Sequence, residues 1–393
     1  MITSARGLPQ LGWQSTRSHL RASDPRCTSL TGNLAGRSFS SRSFSSRRSA
    51  LVIFGTLAAS MNRARASVRH STVVDDKLQQ RQCELQVWSF NLRTEHAKED
   101  DLENLWPKRR QGVADLIVKY RPSIVCVQEA TAAMLTTVCQ QLGGMYEWKG
   151  TSRFVDLEDE AAGFIYNTAC LRLLDNSVFW LKPEALPDGK PGWDAMFPRT
   201  CETALFQILE SGGQLRVFNT HFDHQGSNAR RESAQLIASR IAVLMESQPS
   251  CAHVLCGDFN SPKCSEPYSV FTKFTHPSAP EKPLLKDVFR SAEVDSGGAI
   301  STIHKWQGLA FSEERGDGTV DLSEGSDFDS RHIDWILWQD GQGEVGTSLT
   351  PISCRVVTDS MPNGRYASDH FPVSSTFLVK VGDDQPFAER SRL

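Results

Sequence analysis

From Leu85 onward, short β-branched and apolar runs alternate with stretches in which apolar side chains recur every three or four positions. Leu85–Phe90 predicts a strand. Pro107 then opens a helix whose Val113, Leu116, Ile117 and Tyr120 share one face, and Pro122 follows its end. The apolar run 123–127 predicts a second strand, and 163–166, 171–181, 203–209 and 215–220 predict four more. Ala234, Ile237, Ile241, Leu244 and Met245 predict a long helix over 228–247, with Asn228 as its N-cap and Glu232 in its first turn. Late strands follow at 253–256, 333–338, 352–357 and 373–379. Strands and helices interspersed without repeats over roughly 300 residues predict one α/β domain.

Charge separates this body from what precedes it. Residues 1–74 hold 11 Arg, 15 Ser, one Asp and neither Lys nor Glu, a net of +10, whereas residues 75–393 carry a net of −13. An Arg- and Ser-rich, acid-poor N-terminus suits organelle import. Within it, Arg47-Arg48, the apolar run 51–59 and Ala64-Arg65-Ala66 resemble a twin-arginine export signal. The expected organisation is therefore a targeting segment over 1–74, a catalytic domain over 75–381 and a disordered tail over 382–393. The expected destination is a plastid, with the thylakoid lumen as the inner compartment and the mitochondrion as the alternative. The apolar run is too short to span a bilayer, which needs about 20 residues in a helix. With 39% hydrophobic and 23% charged residues, the chain is neither collagen-like nor a multi-span membrane protein. Seven acids against one Arg over 308–330 predict a solvated surface insertion. The ten Cys form no C-x-x-C, and Cys126 and Cys256, inside strand-like runs, are expected to be small buried hydrophobes.

Several predicted strands end in polar groups that a core would reject. These are Asn91-Leu92-Arg93, Gln128-Glu129, Asn219-Thr220-His221-Phe222-Asp223-His224, Gly257-Asp258-Phe259-Asn260, His332-Ile333-Asp334 and Ser368-Asp369-His370. Ligand sites of α/β sheets gather where strand ends meet loops. Asn91, Glu129, Asp258, Asn260 and Asp369 are hard oxygen donors, suited to Mg²⁺ or Mn²⁺ rather than zinc. His221 and His370 can donate protons or hydrogen bonds near neutral pH, and Asp334 can orient His370. There is no P-loop, G-x-S-x-G or H-E-x-x-H. Carboxylates, amides and histidines without a covalent nucleophile point to metal-assisted hydrolysis by water.

In this order the motifs resemble the endonuclease/exonuclease/phosphatase superfamily over about residues 84–380, and in particular its bacterial-type metal-dependent hydrolase branch. That branch is related to deadenylase-like, sphingomyelinase-like and deoxyribonuclease-like enzymes. Phe90-Asn91-Leu92-Arg93, Trp193-Asp194 before Pro198-Arg199, the run 219–224 followed by Gly226 and Ala229-Arg230, and Ile333-Asp334-Trp335-Ile336-Leu337 carry the likeness. It implies a four-layer α/β/β/α sandwich of two packed mixed sheets flanked by helices. It also implies roles. Glu129 would be the main metal ligand, with Asn91 and Asp369 contributing. Asp258 would align or deprotonate the water, and Asn260 would hold a phosphate oxygen. His370, oriented by Asp334, would stabilise the transition state, and His221 would assist it or protonate the leaving group. Arg93 stands where some branches have an acid, and His332 where relatives often have Arg.

His224, Arg199, Arg230 and His304 are candidates for substrate contact, with loop bracing as the alternative for the two arginines. Asp223 is a candidate supporting residue. The tryptophans at 148, 180, 193 and 306 are expected to pack in the core. The expected activity is that of a phosphodiesterase or nuclease. A phosphomonoesterase, a lipid head-group phosphodiesterase or a catalytically silent binding domain are the alternatives. An acidic body argues against tight duplex DNA binding, which needs a Lys/Arg footprint. The expected partner is a small phosphoester such as a nucleotide, or a short single-stranded nucleic acid, and the protein is expected to be a monomer.

Overall fold

The computed structural model describes residues 82–382, apart from 155–157, 274, 277–278, 293, 297–299 and 312–330. The leader, the tail beyond 382 and most of the acidic stretch therefore lie outside the described residues.

Strand β1 (Gln82–Asn91) leads through helix α1 (Trp106–Tyr120) to β2 (Ile124–Ala130), which runs parallel to β1. Parallel neighbours need a crossover of this kind. Pro107 sits in the first turn of α1, and Arg121, left-handed at φ 51°, closes it with an N–H bond to the Ile117 carbonyl. Next come α2 (Ala132–Gln141), β3 (Tyr146–Lys149), β4 (Ala161–Asn167), β5 (Leu171–Trp180) and β6 (Thr200–Ile208). A second crossover joins β7 (Gln214–His221) through α3 (Ser227–Ser247) to the parallel β8 (Ala252–Asp258). The remaining elements are α4 (Glu266–Lys273), β9 (Thr275–His276), β10 (Ala279–Pro283), β11 (Lys286–Asp287), β12 (Val294–Ser296), β13 (Asp334–Gln339), β14 (Thr347–Val356) and β15 (Val373–Val381).

Two mixed sheets result, ordered β12-β14-β15-β1-β2-β4-β3 and β11-β13-β8-β7-β6-β5, with β9 and β10 as a separate pair. Strand alternation sorts side chains between the layers. Leu85, Val87, Ile124 and Cys126 of one sheet meet Val217, Val254, Cys256 and Ile336 of the other in the central core. The opposite face of the first sheet sends Trp88, Phe90, Val125 and Val127 against Val113, Leu116 and Ile117 of α1. Phe218, Leu255, Trp335 and Leu337 of the second sheet pack against Ala234, Ile237 and Ile241 of α3 and Phe271 of α4. This is the expected four-layer α/β/β/α sandwich. Cys126 and Cys256 are fully buried in it, and the cysteines among the described residues are free thiols.

Asn219 joins the two sheets beneath one rim. Its amide donates to the carbonyls of Val127 (2.8 Å) and Gly163 (2.7 Å), while its oxygen accepts from Gln128 Nε2 at 2.7 Å. The long helix departs from expectation at its start, because Gly226 rather than Asn228 occupies the N-cap. Asp194, 34 residues upstream of Asn228, supplies the missing acceptors to the N–H groups of Asn228 (3.3 Å) and Ala229 (2.6 Å). A Cβ at Gly226 would lie 2.6 Å from the Asp194 carboxylate, so this long-range cap requires glycine. Among the described residues, no helix is long and apolar enough to cross a membrane.

Candidate active site

The C-terminal ends of β1, β2, β7 and β8 and the starts of β13 and β15 meet at one rim of the sandwich. His221, Asp258 and Asp334 are register partners across β7, β8 and β13, so they stand in a row. Asn91 ends β1 on the face turned toward the opposite sheet, since Leu85 and Val87 share its parity and lie in the central core. Glu129 reaches the rim by a different device. Strict alternation after Val125 and Val127 would turn it toward the helices. Instead Glu129 adopts φ 58° and the pairing with β4 slips between Val127 and Ala130. Such a bulge re-aims a side chain at the edge of a sheet.

Hydrogen bonds tie these groups together. Asn91 Nδ2 donates to Glu129 Oε1 and to Asp258 Oδ2, both at 3.0 Å. The Thr94 N–H donates to Glu129 Oε2 at 3.1 Å. The Asn260 N–H donates to Asp258 Oδ1 at 2.9 Å, and Asn260 Nδ2 lies 3.1 Å from His221 Nε2. His370 places Nδ1 3.0 Å from Asp334 Oδ2 and Nε2 3.8 Å from Asp258 Oδ2. Ser368 links the β15 loop to β1 by donating to the Asn91 carbonyl at 2.7 Å. Asp369 Oδ2 lies 3.8 Å from Arg93 Nε, which also bonds Glu99 at 2.8 Å.

The electrostatics divide the titratable groups by role. Burial alone would raise the Glu129 carboxyl, but the Asn91 and Thr94 hydrogen bonds and the Arg93 charge pull it below its usual range. Burial and then the Asp334 charge push Asp258 up to about 7, against the pull of His370. Burial opposes the charged form of His370, yet the Asp334 carboxylate overrides it and holds the ring at about 10. His221 is driven well below its ordinary value by burial and then by Arg199 and Arg153. A neutral His221 accepting from Asn260 fits a holding role better than protonation of a leaving group.

Glu129 and Asp369 carry hard carboxylate oxygens on this rim, beside Asn91, and Asp369, like Asp258, is raised by burial and by a neighbouring carboxylate. Such a set fits a divalent cation of the Mg²⁺ type. Among the described residues, Asp258, Asp334 and His370 bring ligand-type atoms within 4.8 Å of one another. There Asp334 Oδ2 and His370 Nδ1 are spent on each other, which gives the pair an orienting role, while Asp334 Oδ1 is buried without a hydrogen-bond partner. Asn91 Oδ1 accepts the Arg93 N–H at 2.9 Å, and a carbonyl oxygen with two lone pairs can meet a cation without losing that bond.

The other sequence candidates fall into three places. Arg199 is buried and lines a cavity shared with Glu129 and His221, while its Nη2 lies 3.4 Å from Nδ1 of the exposed His224. Arg230 braces a loop, donating to the Asp223 carbonyl at 2.9 Å. Asp223 accepts the N–H groups of Gln225, Gly226 and Met196 and so fixes the turn rather than meeting substrate. His304 does not line the pocket. It is fully buried beneath His370, with Phe371 at 4.0 Å and Nδ1 accepting the Gly308 N–H, because Ile303 pairs with His370 as an isolated bridge. His332 is likewise buried, edge-on to Phe289.

Two arginines escaped the sequence reading. Arg153, from an unpatterned loop, lines the same cavity as Arg199. Arg109 is buried in α1 and donates to the carbonyls of Asn104 (2.9 Å), Ala367 (3.2 Å), Leu92 and Arg93. It thereby clamps the loop after Asn91 to the loop before Asp369. Its spacing four residues before Val113 puts it on the apolar stripe of α1, a signal that was available in the sequence.

Comparison with known proteins matches this architecture. The model of the endonuclease/exonuclease/phosphatase family matches residues 88–370. An endonuclease/exonuclease/phosphatase from Bacteroides vulgatus is 26% identical with a TM-score of 0.59, covering 75% of this chain and 98% of that one. A mannosyl-6-phosphatase of Bacteroides thetaiotaomicron is 24% identical (TM-score 0.60; 75% and 99% covered). The catalytic domain of human Nocturnin is 15% identical (TM-score 0.51; 76% and 95%). These last two likenesses are of fold. No curated protein matches the sequence. The family match spans both crossover units and reaches from β1 to His370, and the chain belongs to the endonuclease/exonuclease/phosphatase family.

Proposed function

We propose that the chain hydrolyses phosphoester bonds in a small or single-stranded substrate, using water and a divalent cation, Mg²⁺ or Mn²⁺. One observation carries this reading. The Asp258 carboxylate lies 3.0 Å from Asn91, 3.5 Å from His221 and 3.8 Å from His370, joining the metal-type half of the rim to the histidine half. Glu129 and Asp369, with Asn91 beside them, hold the cation, which when bound neutralises charge on the phosphoryl oxygens. Asp258, poised near neutral pH, takes the proton of the attacking water. Asn260, fixed by His221 and by the Phe222 carbonyl, donates to a phosphate oxygen. His370, kept charged by Asp334, faces the developing negative charge, and fixed charges of this kind supply much of enzymatic rate enhancement.

The test is hydrolysis of bis-p-nitrophenyl phosphate and p-nitrophenyl phosphate by the full chain with Mg²⁺ or Mn²⁺, then with EDTA. Turnover that survives EDTA, or none with any divalent ion, overturns the reading. Asp258→Asn should cut turnover by at least a hundredfold while the circular dichroism spectrum is retained.

A further inference from the structure

Strand β13 has a strand beside it along its whole length on one edge only. There β8 pairs with it from Asp334 to Gln339. On the other edge the two-residue β11 covers Leu337 and Trp338 alone, so the end that carries Asp334 has no strand beside it. Backbone donors at such an end need another acceptor when they are buried. Thr302 supplies it. Its Oγ1 accepts the N–H of Ile333 at 3.1 Å and that of Asp334 at 3.2 Å.

The main chain that follows ties the opposite side of the rim. The Thr302 carbonyl accepts the Phe371 N–H at 2.8 Å, and the Thr302 N–H donates to the Arg331 carbonyl at 3.2 Å. Ile303 bridges to His370, and the N–H groups of His304 and Lys305 both donate to the Asp369 carbonyl, at 2.8 and 3.1 Å. Residues 302–305 therefore form a strap. Its Thr302 hydroxyl holds the start of β13 in one sheet, and the rest holds the loop that leads into β15 in the other. The 3.0 Å bond between Asp334 Oδ2 and His370 Nδ1 spans the same gap. Thr302 itself is fully buried, so it acts through these neighbours rather than on a substrate.

We propose that Thr302 is a positioning residue of the candidate site. Its hydroxyl sets where Asp334 stands and its carbonyl where His370 stands, so that the two meet at hydrogen-bonding distance. The kinetic part of this proposal rests on the hydrolytic reading given above. Loss of the hydroxyl leaves two buried N–H groups without an acceptor and frees the start of β13 to shift relative to the β15 loop. A misplacement of about 1 Å can cost on the order of a hundredfold in rate. A residue that acts only through Asp334 and His370 changes kcat rather than KM, because its contribution is made in the transition state.

Two measurements test this with the full chain. The first needs no substrate: NMR of histidine-labelled protein follows the ring N–H protons, the His370 signal being assigned by its loss in His370→Gln. Wild type should show an Nδ1–H held by Asp334. Thr302→Val keeps the shape but removes the acceptor and should lose that signal, whereas Thr302→Ser should retain it. An unchanged signal in Thr302→Val overturns the proposal, and so does its absence from wild type. The second is p-nitrophenyl ester hydrolysis with Mg²⁺. In Thr302→Val kcat should fall roughly tenfold or more with KM within about twofold, and Thr302→Ser should recover most of the loss. In a His370→Ala background the same substitution should cost no more than about twofold, since nothing is left for it to position. Equal losses in both backgrounds, or a loss that Thr302→Ser does not recover, refute the positioning role. Wild type that hydrolyses neither ester defeats the hydrolase reading instead, and the NMR comparison still decides whether Thr302 holds the pair. Near-ultraviolet circular dichroism confirms that each variant is folded. Should Thr302→Val not fold, Thr302→Ala leaves room for a water to meet the two N–H groups and carries the same comparisons.

Discussion

Replacing Asp334 by Asn isolates a charge from a geometry. The Asn oxygen still accepts from His370 Nδ1, so the ring keeps its orientation, but the carboxylate that holds it at about 10 is gone. Burial then dominates, and the ring moves toward or below its ordinary 6.5. At ~1.36 kcal/mol per pH unit, that is roughly 5 kcal/mol in the cost of keeping the ring charged. At pH 7.5 wild-type His370 is almost wholly protonated, whereas a ring near 6.5 is protonated in only about a tenth of molecules. The kcat/KM of Asp334→Asn should therefore fall at least tenfold at pH 7.5. The ratio of variant to wild type should climb back toward one as the pH is lowered to about 5.5. Wild type should show a bell whose descending limb lies near 10. Its ascending limb, from Asp258, should lie at or below about 7, because a bound cation lowers a neighbouring carboxyl. The assay is p-nitrophenyl ester hydrolysis from pH 5 to 10, with the His370 ring carbons followed by NMR. A variant-to-wild-type ratio that stays flat with pH would refute the charge role of Asp334, leaving it only orientation.

The same pair affects stability. His370 is raised on folding, so its contribution is complete below pH 6.5 and disappears as the pH rises through about 10. The Tm advantage of wild type over Asp334→Asn should shrink across that window, and an advantage that grew with pH would contradict it. Arg109→Met strips four buried carbonyls of a charged donor and should cost about 3–5 kcal/mol in urea unfolding. A loss below about 1 kcal/mol would show that the two loops do not depend on the clamp. Asn219→Leu removes three buried hydrogen bonds between the sheets and should cost about 2–4 kcal/mol. An unchanged urea midpoint would count against the bridge.

Much of this architecture was legible because alternation is a local signal. Val87 and Trp88 point to opposite layers whatever the rest of the chain does, and the stripe at Ala234, Ile237 and Ile241 could only be a helix. Short elements were not legible. The strands at 275–276, 286–287 and 294–296 offer too few positions for any period to show, and Pro267 disguises α4. Helix α2 follows β2 directly, capped by Thr131, with Met134, Leu135 and Val138 as its only buried side chains among ten residues. Within the candidate site, residue types singled out Glu129, Asp258, Asp334 and His370, but alternation would have aimed Glu129 at the helices. Its bulge depends on pairing with β4, more than 30 residues away. The cap of α3 was misplaced for the same reason, because Asp194 replaces a local acceptor with a distant one. Arg153 had no pattern to announce it, since its meaning comes from sharing a cavity with Arg199.

Asn219 makes the rim a seam. Asn91 and Glu129 descend from one sheet, whereas His221, Asp258 and Asp334 descend from the other, so neither sheet alone carries the complete set. The hydrolytic machinery exists only at the register in which the sheets are latched. Turnover thereby acts as a gauge of sheet-to-sheet alignment, and heat or pressure that shears the seam silences the molecule while both sheets are still intact.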